Sequence, residues 1–215
     1  MITLITGGSG SGKSAYAEKY ICHVSNEKGY KEKYYIATMQ VFDAESEKRV
    51  AHHRQLRAGK GFVTVEQPRS IAQAARAFAA SSLIQEREKR GMPSGAMDGM
   101  KCAGAEKGTA VLLECMSNLV ANEMFGSEQH GDTDHGIDSG IAGTVSDRIL
   151  KEIAELSGKV DHFVIVSNNV FEDGIDYEES TRNYIRELGH VNAGLAAMAD
   201  TVVEVVVGIP VFIKQ

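Results

Sequence analysis

Short apolar runs alternate along this chain with longer stretches in which apolar residues recur every three or four positions. The short runs are mostly rich in β-branched or aromatic residues, as buried strands are. They predict strands at Ile2–Thr6, Tyr34–Thr38, Thr109–Leu113, Phe163–Ser167 and Thr201–Val207. A weaker run, Phe62–Val65, predicts an edge strand. A last one, Val211–Lys214, is placed to pair back on Val203–Val207 across Gly208, Ile209 and Pro210.

The longer stretches have the periodicity of helices that bury one face. They predict helices at Lys13–Ser25, Ala44–Ala58, Ser70–Arg90, Ser117–Phe125, Ser146–Ser157 and Glu178–Ala199. In the third of these, one core-facing stripe comprises Ile71, Ala74, Ala75, Phe78 and Ala79. Strands that alternate with helices in this way predict a three-layer α/β domain with a mainly parallel central sheet.

Two glycine-rich segments interrupt this rhythm, at residues 91–108 and 126–143. Neither has a sustained period, so we interpret both as surface loops inserted into the domain. A chain of 215 residues is long enough for one hydrophobic core. We therefore expect a single domain over residues 1–215.

Charge and cysteine content narrow the function classes. The chain has 23 basic and 29 acidic residues, a net charge of −6, which argues against non-specific nucleic-acid binding. Cys22, Cys102 and Cys115 are too far apart in sequence to suggest a disulfide framework or a zinc site. No apolar stretch approaches the roughly 18 residues of a membrane span, and the first residues do not resemble a signal peptide. We expect a cytoplasmic protein.

One segment matches the phosphate-binding pattern G-x-x-x-x-G-K-[ST] at every fixed position, between a predicted strand and a predicted helix. Its residues are Gly7, Gly8, Ser9, Gly10, Ser11, Gly12, Lys13 and Ser14. Glycines let backbone amides face phosphate oxygens, and the helix N-terminus adds positive partial charge. We expect Lys13 to reach the β- and γ-phosphates and Ser14 to bind Mg²⁺. This predicts a nucleoside triphosphate ligand without specifying the reaction.

A carboxylate follows the predicted strand Thr109–Leu113 directly, at Glu114. In a phosphate-loop enzyme, an acid at the end of a neighbouring strand is a candidate to hold the water shell of the metal or to contact a nucleotide hydroxyl. The alternative is an acidic residue that only ends a strand, since carboxylates are mostly exposed.

The predicted helix Ala44–Ala58 is highly charged and contains two adjacent histidines. Helical spacing places Arg49, His53 and Arg57 on one face. Two guanidinium groups disfavour protonation of His53, which would keep it neutral and nucleophilic, and they would attract a triphosphate. Taken alone, the same pattern also fits a solvated charged helix.

Taken together, these elements resemble the bifunctional adenosylcobinamide kinase/adenosylcobinamide-phosphate guanylyltransferase family. The matching segments, in chain order, are ITGGSGSGKSAYAE, YYIATMQ, RVAHHRQLR, VTVEQP, LLECMSNLVANEMF, VIVSNNV and RNYIRELGHVNAGLAAMADTVVEVVVGIPVFIK. Their order and spacing are far more specific than the phosphate loop alone.

The resemblance implies two activities. The first phosphorylates the aminopropanol hydroxyl of adenosylcobinamide with ATP or GTP. The second transfers GMP from GTP to that phosphate through a phosphoramidate on a histidine. The register of the family motif implies His53 as the nucleophile, with His52 as the reserve candidate. It also implies a homo-oligomer, a trimer in known members.

The resemblance further implies a set of nucleotide contacts outside the phosphate loop. They are Ala37, Thr38, Met39, Arg54, Gln55, Leu56, Arg57, Glu66 and Glu114. For Thr38 and Glu66, ordinary loop polarity is an equally good interpretation of the sequence.

The chain also departs from the family pattern. Ser11 stands where many members have Arg, Asn169 where many have Glu, and Ala58, Gly59 and Lys60 displace a common Arg and Pro. Such a chain can retain guanylyl transfer with a weakened kinase. Two alternatives therefore stay open, a small-molecule kinase without guanylyl transfer and a non-catalytic nucleotide-binding switch.

Overall fold

The computed structural model describes most of the chain, in segments separated by gaps. The described residues are 1–40, 47–48, 51, 54–55, 57, 59–80, 108–126, 143–171 and 174–215. The predicted pair His52 and His53, Leu56, and the two predicted insertions apart from Gly108, Gly126 and Gly143 lie outside them.

Seven strands of the described chain form one sheet. Their bounds are β1 Ile2–Thr6, β2 Glu32–Ala37, β3 Phe62–Glu66, β4 Thr109–Glu114, β5 His162–Val166, β6 Thr201–Val206 and β7 Ile209–Lys214. The order is β3-β2-β4-β5-β1-β6-β7, and all neighbours are parallel except β6 and β7. The predicted mainly parallel sheet is confirmed, as is the edge position of β3.

Helices cover both faces of this sheet. Their bounds are α1 Lys13–Lys28, α2 Met116–Phe125, α3 Val145–Ser157 and α4 Glu179–Met198. Helix α1 packs on one face, and the other three pack on the opposite face together with residues 71–78. Residues 47, 48, 51, 54, 55 and 57 are helical, as predicted for the histidine segment. The result is the expected three-layer α/β arrangement.

The sheet separates the hydrophobic core into two halves, one on each face. On β2, Tyr34 and Ile36 pack toward α2, α3 and α4, whereas Tyr35 packs toward α1. Successive side chains of a strand point to opposite faces, so adjacent residues enter different halves of the core. All five residues of β5 are buried, which explains the unbroken apolar run that follows His162.

Three sequence predictions need correction. Ala79 is exposed rather than core-facing. The predicted helix at Ser70 begins with a 3₁₀ turn, Ile71–Gln73, because Ser70 is left-handed at φ 50°. The last turn is shorter than predicted: Val207 and Gly208 have positive φ, as a two-residue hairpin requires, so Ile209 and Pro210 already belong to β7. Pro210 is tolerated there because β7 is an edge strand.

Candidate functional site

The predicted site residues gather at the carboxyl edge of the sheet. The phosphate loop follows β1, and Ala37 on β2 lies in register with Glu66 on β3 and Glu114 on β4. Asn168 follows β5, the strand that neighbours β1. Parallel strands all end at this edge, which is where ligands bind in open α/β sheets.

The phosphate loop has little room for side chains at its start. A Cβ on Gly7 would lie 2.6 Å from the backbone oxygen of Val205 and 2.7 Å from Ser11 Oγ. Gly12 adopts φ 89° at the N-cap of α1, a conformation that favours glycine. The loop is tied to its surroundings by Asn169 N, which donates to Gly7 O at 3.0 Å, and by Gly208 N, which donates to Ser11 O at 2.8 Å.

Lys13 begins helix α1 and is buried. Its Nζ donates to the backbone oxygen of Gly8 at 3.0 Å, so the ammonium group lies within the curve of the loop. Burial lowers the pKa of Lys13, while the nearby Cys115 and Glu114 act in the opposite direction. A cation in this position is suited to bind phosphate oxygens.

Ser14 and Glu114 are in contact at the end of β4. Ser14 Oγ donates to Glu114 Oε1, and Tyr35 Oη donates to Glu114 Oε2 at 3.3 Å. Burial, and next the charge of Glu114, raise the pKa of Tyr35, so its hydroxyl keeps its proton. A hydroxyl and a carboxylate are hard oxygen ligands of the kind that Mg²⁺ prefers, and this pair fits that ion.

Thr38 is fully buried directly after β2. Its hydroxyl donates to Cys115 O at 2.8 Å and accepts from Cys115 N at 2.9 Å. Asn122 on α2 donates to Thr38 O at 2.8 Å. These bonds join the ends of β2 and β4, so the side chain of Thr38 already has a structural task. Ala37 and Met39 beside it are partly buried.

Two arginines of the histidine segment contact side chains on β3 and β2. Arg54 forms an ion pair with Glu66, and the guanidinium carbon of Arg57 lies 3.6 Å from the centroid of the Tyr35 ring. Arg57 is only 7% exposed. Gln55 is exposed.

A cavity of about 470 Å³ opens beside these arginines. Its described lining residues are Arg54, Arg57, Gly59, Gly61, Phe62 and Thr64. The structure thus brings most of the predicted nucleotide contacts into two neighbouring groups. One is the phosphate loop with Glu114; the other is the pair of arginines with Glu66.

Sequence reasoning missed a polar network behind the phosphate loop. Asn168 Nδ2 donates to Ser117 Oγ at 2.6 Å, and Asn192 Nδ2 donates to Asn168 O at 3.2 Å. Ser167 Oγ donates to Asn192 Oδ1 at 2.5 Å. The network joins the end of β5 to α2 and α4. Three polar residues in succession after β5 were its only trace in the sequence.

Tyr35 was missed as well. It stands in the apolar run that predicts β2, where an aromatic residue reads as core packing. Its contacts with Glu114 and Arg57 depend on strand order, which the local pattern does not carry.

In the described residues, no cluster of three or more His, Cys, Asp and Glu side chains is arranged to hold a metal ion. None of the helices in the same part of the chain is long and apolar enough to cross a membrane.

Several known proteins are similar to this chain. A KaiC-like protein from Pyrococcus horikoshii OT3 aligns over 94% of this chain and 69% of its own, at 10% identity and a TM-score of 0.42. Bifunctional adenosylcobalamin biosynthesis protein CobU is 31% identical in Escherichia coli K12 and 30% identical in Salmonella typhimurium LT2, over the whole of both chains. CobP of Pseudomonas aeruginosa PAO1, which has the same description, is 26% identical over 100% of this chain and 98% of its own.

The family evidence covers nearly the entire sequence. Residues 3–85 and 96–213 match the family described as cobinamide kinase / cobinamide phosphate guanyltransferase. The matched region includes the phosphate loop, the histidine segment and all of the sheet except the first residue of β1 and the last residue of β7. The chain therefore belongs to the cobinamide kinase / cobinamide phosphate guanyltransferase family.

Proposed function

We propose that this enzyme phosphorylates adenosylcobinamide with ATP or GTP and transfers GMP from GTP to the resulting phosphate, giving adenosylcobinamide-GDP. The observation that carries the proposal is the family match over residues 3–85 and 96–213 to a chain whose Lys13 and Ser14 lie beside Glu114. The two full-length relatives at 30% and 31% identity support both halves, since they are described as bifunctional.

In the kinase step, the phosphate loop binds the nucleotide. Backbone amides of residues 7–14 and the N-terminus of α1 face the phosphates, and Lys13 contacts the β- and γ-phosphates. Ser14 and Glu114 would hold Mg²⁺, which when bound would supply positive charge to the phosphate oxygens. The aminopropanol hydroxyl oxygen bonds to the γ-phosphorus and releases its proton to solvent. The bond from that phosphorus to the bridging oxygen breaks, and the nucleoside diphosphate leaves.

In the guanylyl step, His53 is the nucleophile. Its ring nitrogen bonds to the α-phosphorus of GTP, the bond to the bridging oxygen breaks, and pyrophosphate leaves. A phosphate oxygen of adenosylcobinamide phosphate then attacks the same phosphorus, and the nitrogen–phosphorus bond breaks. His53 precedes Arg57 by four residues in the sequence, the spacing that predicts one shared helix face, and this supports its assignment as the nucleophile.

The remaining predicted nucleotide contacts are assigned to GTP because of the family resemblance. They are Ala37, Thr38, Met39, Gln55, Leu56 and Glu66. Thr38 is the weakest as a side-chain contact, because its hydroxyl is engaged by Cys115; its role is to place Ala37 and Met39 at the end of β2.

Ser11 and Asn169 give the kinase step of this chain a distinct character. Ser11 Oγ is buried without a hydrogen-bond partner among the described residues, and it supplies no cation to the loop. Asn169 contributes its backbone N–H to Gly7 but no carboxylate. Phosphate binding therefore relies on Lys13 and the loop amides.

The test is incubation with Mg²⁺ and GTP labelled at the α-phosphate, on wild type, His52→Ala and His53→Ala. We expect an acid-labile, alkali-stable label that disappears only in His53→Ala. An unlabelled wild type that still binds GTP tightly would leave a simple kinase or a nucleotide switch. Neither alternative is favoured, since the family description includes both transfers.

We also propose that the chain acts as a homo-oligomer, a trimer by family resemblance, with adenosylcobinamide and its phosphate as partners. Support comes from the edge strand β7, the turn before it and the last residue of β6, which expose several apolar side chains. They are Val206, Val207, Ile209, Val211, Phe212 and Ile213. Exposed apolar edge strands are usually covered by another chain. The cytoplasmic location and the absence of a nucleic-acid partner stay predictions from the sequence.

A further inference from the structure

Tyr35 lies between the two groups of residues that the proposed function assigns to nucleotide binding. It is buried on the α1 face of β2, next to Tyr34, which is buried on the opposite face. Its side chain reaches the carboxyl edge of the sheet, where Glu114 ends β4.

The hydroxyl of Tyr35 restrains one oxygen of a shared carboxylate. Tyr35 Oη donates to Glu114 Oε2 at 3.3 Å, and the other oxygen, Oε1, accepts from Ser14. A carboxylate held at both oxygens loses the freedom to rotate away from Ser14. Glu114 is thereby held in contact with Ser14, the residue with which it is proposed to bind Mg²⁺.

The ring of Tyr35 holds the end of the histidine segment. The Arg57 guanidinium carbon is 3.6 Å from the ring centroid, and Arg57 Nε is buried without a hydrogen bond among the described residues. A cation stacked on an aromatic ring is held most strongly when water is excluded. The ring is thus in direct contact with this buried guanidinium.

We propose that Tyr35 is a positioning residue shared by both half-reactions, holding Glu114 toward Ser14 with its hydroxyl and Arg57 with its ring. The inference rests on the proposed function for the identity of the two half-reactions. The hydroxyl contacts Glu114, which is proposed to act in nucleotide and Mg²⁺ binding at the phosphate loop. The ring contacts Arg57, which belongs to the segment that carries His53.

The hydroxyl is tested by Tyr35→Phe, which keeps the ring, with Tyr34→Phe as the matched control on the opposite face. GTP binding is measured by calorimetry across a Mg²⁺ titration. Loss of one hydrogen bond to a carboxylate is expected to raise the Mg²⁺ concentration for half-maximal binding by about five- to tenfold. Tyr34→Phe is expected to match wild type. Equal Mg²⁺ dependence in both variants would overturn the role of the hydroxyl.

The ring is tested by Tyr35→Leu, compared with Tyr35→Phe at saturating Mg²⁺. The initial rate of labelling by α-labelled GTP is expected to fall about tenfold further in Tyr35→Leu, because Arg57 loses its support. If circular dichroism shows that Tyr35→Leu is unfolded, Tyr35→Met, which also lacks the ring, takes its place with the same expected loss. Equal rates in the compared variants would overturn the role of the ring.

These measurements also separate this inference from the proposed function. An unlabelled wild type overturns guanylyl transfer and the role of the ring together. The Mg²⁺ dependence of GTP binding needs no transfer chemistry, so it still decides the role of the Tyr35 hydroxyl. A labelled wild type with unaffected Tyr35 variants would leave the proposed function intact and reject this inference.

Discussion

His162 is a buried imidazole at the amino end of β5, opposite the candidate site. It is 1% exposed, its Nε2 lies 3.1 Å from Thr3 Oγ1, and its Nδ1 has no partner among the described residues. Burial, and next the N-terminal ammonium group, lower the pKa of His162 to about 4, against an opposing effect of Asp200. The folded protein therefore holds this ring neutral.

This lowered pKa makes the stability of the fold dependent on pH. In the unfolded chain the pKa of this histidine is about 6.5, so the ring binds a proton below that pH. In the folded chain the ring binds a proton only near pH 4. The free energy of unfolding therefore falls as the pH falls through this range. Between pH 7.5 and pH 5 we expect His162 to account for a loss of about 2 kcal/mol. Urea unfolding at the two pH values measures it.

His162→Gln is the matched variant, since an amide can still bond to Thr3 and does not titrate. It is expected to lose about 2 kcal/mol less than wild type over the same pH interval. An identical loss in both proteins would show that other groups cause the acid sensitivity.

At the scale of elements, an ion pair fastens α1 to the turn before β3. Lys60 Nζ lies 2.5 Å from Glu18 Oε2, and the Glu18 side chain is 3% exposed. Lys33 reinforces the turn by donating to Lys60 O at 2.6 Å. In this pair, Lys60 neutralises a buried carboxylate.

Lys60→Ala leaves that carboxylate buried and unpaired. We expect a loss of about 1–3 kcal/mol in the free energy of unfolding, because Lys60 is itself partly exposed and its share of the penalty is reduced. The double variant Lys60→Met/Glu18→Met should recover most of the loss, because it removes both charges together. Chemical denaturation of the single and double variants measures the coupling.

The control is Arg182→Ala, which breaks the exposed ion pair of Arg182 with Asp176 on the same protein. It should cost at most about 0.5 kcal/mol. If Lys60→Ala proves no more costly than Arg182→Ala, Glu18 does not depend on Lys60.

The sequence predicted strands and helices well where burial gives the sequence a regular apolar period. It predicted their ends poorly where the backbone conformation of one or two residues determines the end. Strand β5 is buried on both sides and was placed to within one residue. The β6–β7 turn was misplaced because a valine at φ 44° is unusual, and Pro210 suggested a turn. Helix α1 runs to Lys28 rather than Ser25, because the left-handed Gly29 ends it.

Within the site, motif residues were predictable and their connections were not. Lys13 and Ser14 follow from the phosphate-loop pattern alone. The contact of Ser14 with Glu114 joins residues 100 positions apart, and that of Tyr35 with Glu114 joins residues 79 apart. Such contacts arise from the order of the strands, which a local period cannot encode.

At the scale of the whole molecule, the strand order brings the predicted site residues together at the carboxyl ends of the parallel strands. It also leaves β7 as an exposed edge strand. Strand β1 lies between β5 and β6, so the phosphate loop, near the N-terminus, contacts residues from the C-terminal half of the chain, such as Asn169 and Gly208. Strand β7, at the end of the same sheet, contributes an exposed apolar surface that includes Phe212 and Ile213. A solvated edge of this composition favours association.

If β7 is an interface between copies of this chain, charge on it should dissociate the oligomer. We expect Phe212→Glu/Ile213→Lys to lower the molar mass in solution toward that of a single 23.2 kDa chain, because charged groups at an apolar contact lose hydration. Light scattering coupled to gel filtration measures this, and circular dichroism checks the fold.

The matched control is Ile175→Lys, since Ile175 is exposed to 61% and Ile213 to 62% while only Ile213 lies on the edge strand. Ile175→Lys should leave the molar mass unchanged. If the β7 variant keeps the molar mass of wild type, copies of the chain do not associate through this edge. If both variants dissociate, the apolar contact extends beyond β7. Charge on β7 thus tests this strand as the interface without altering the phosphate loop.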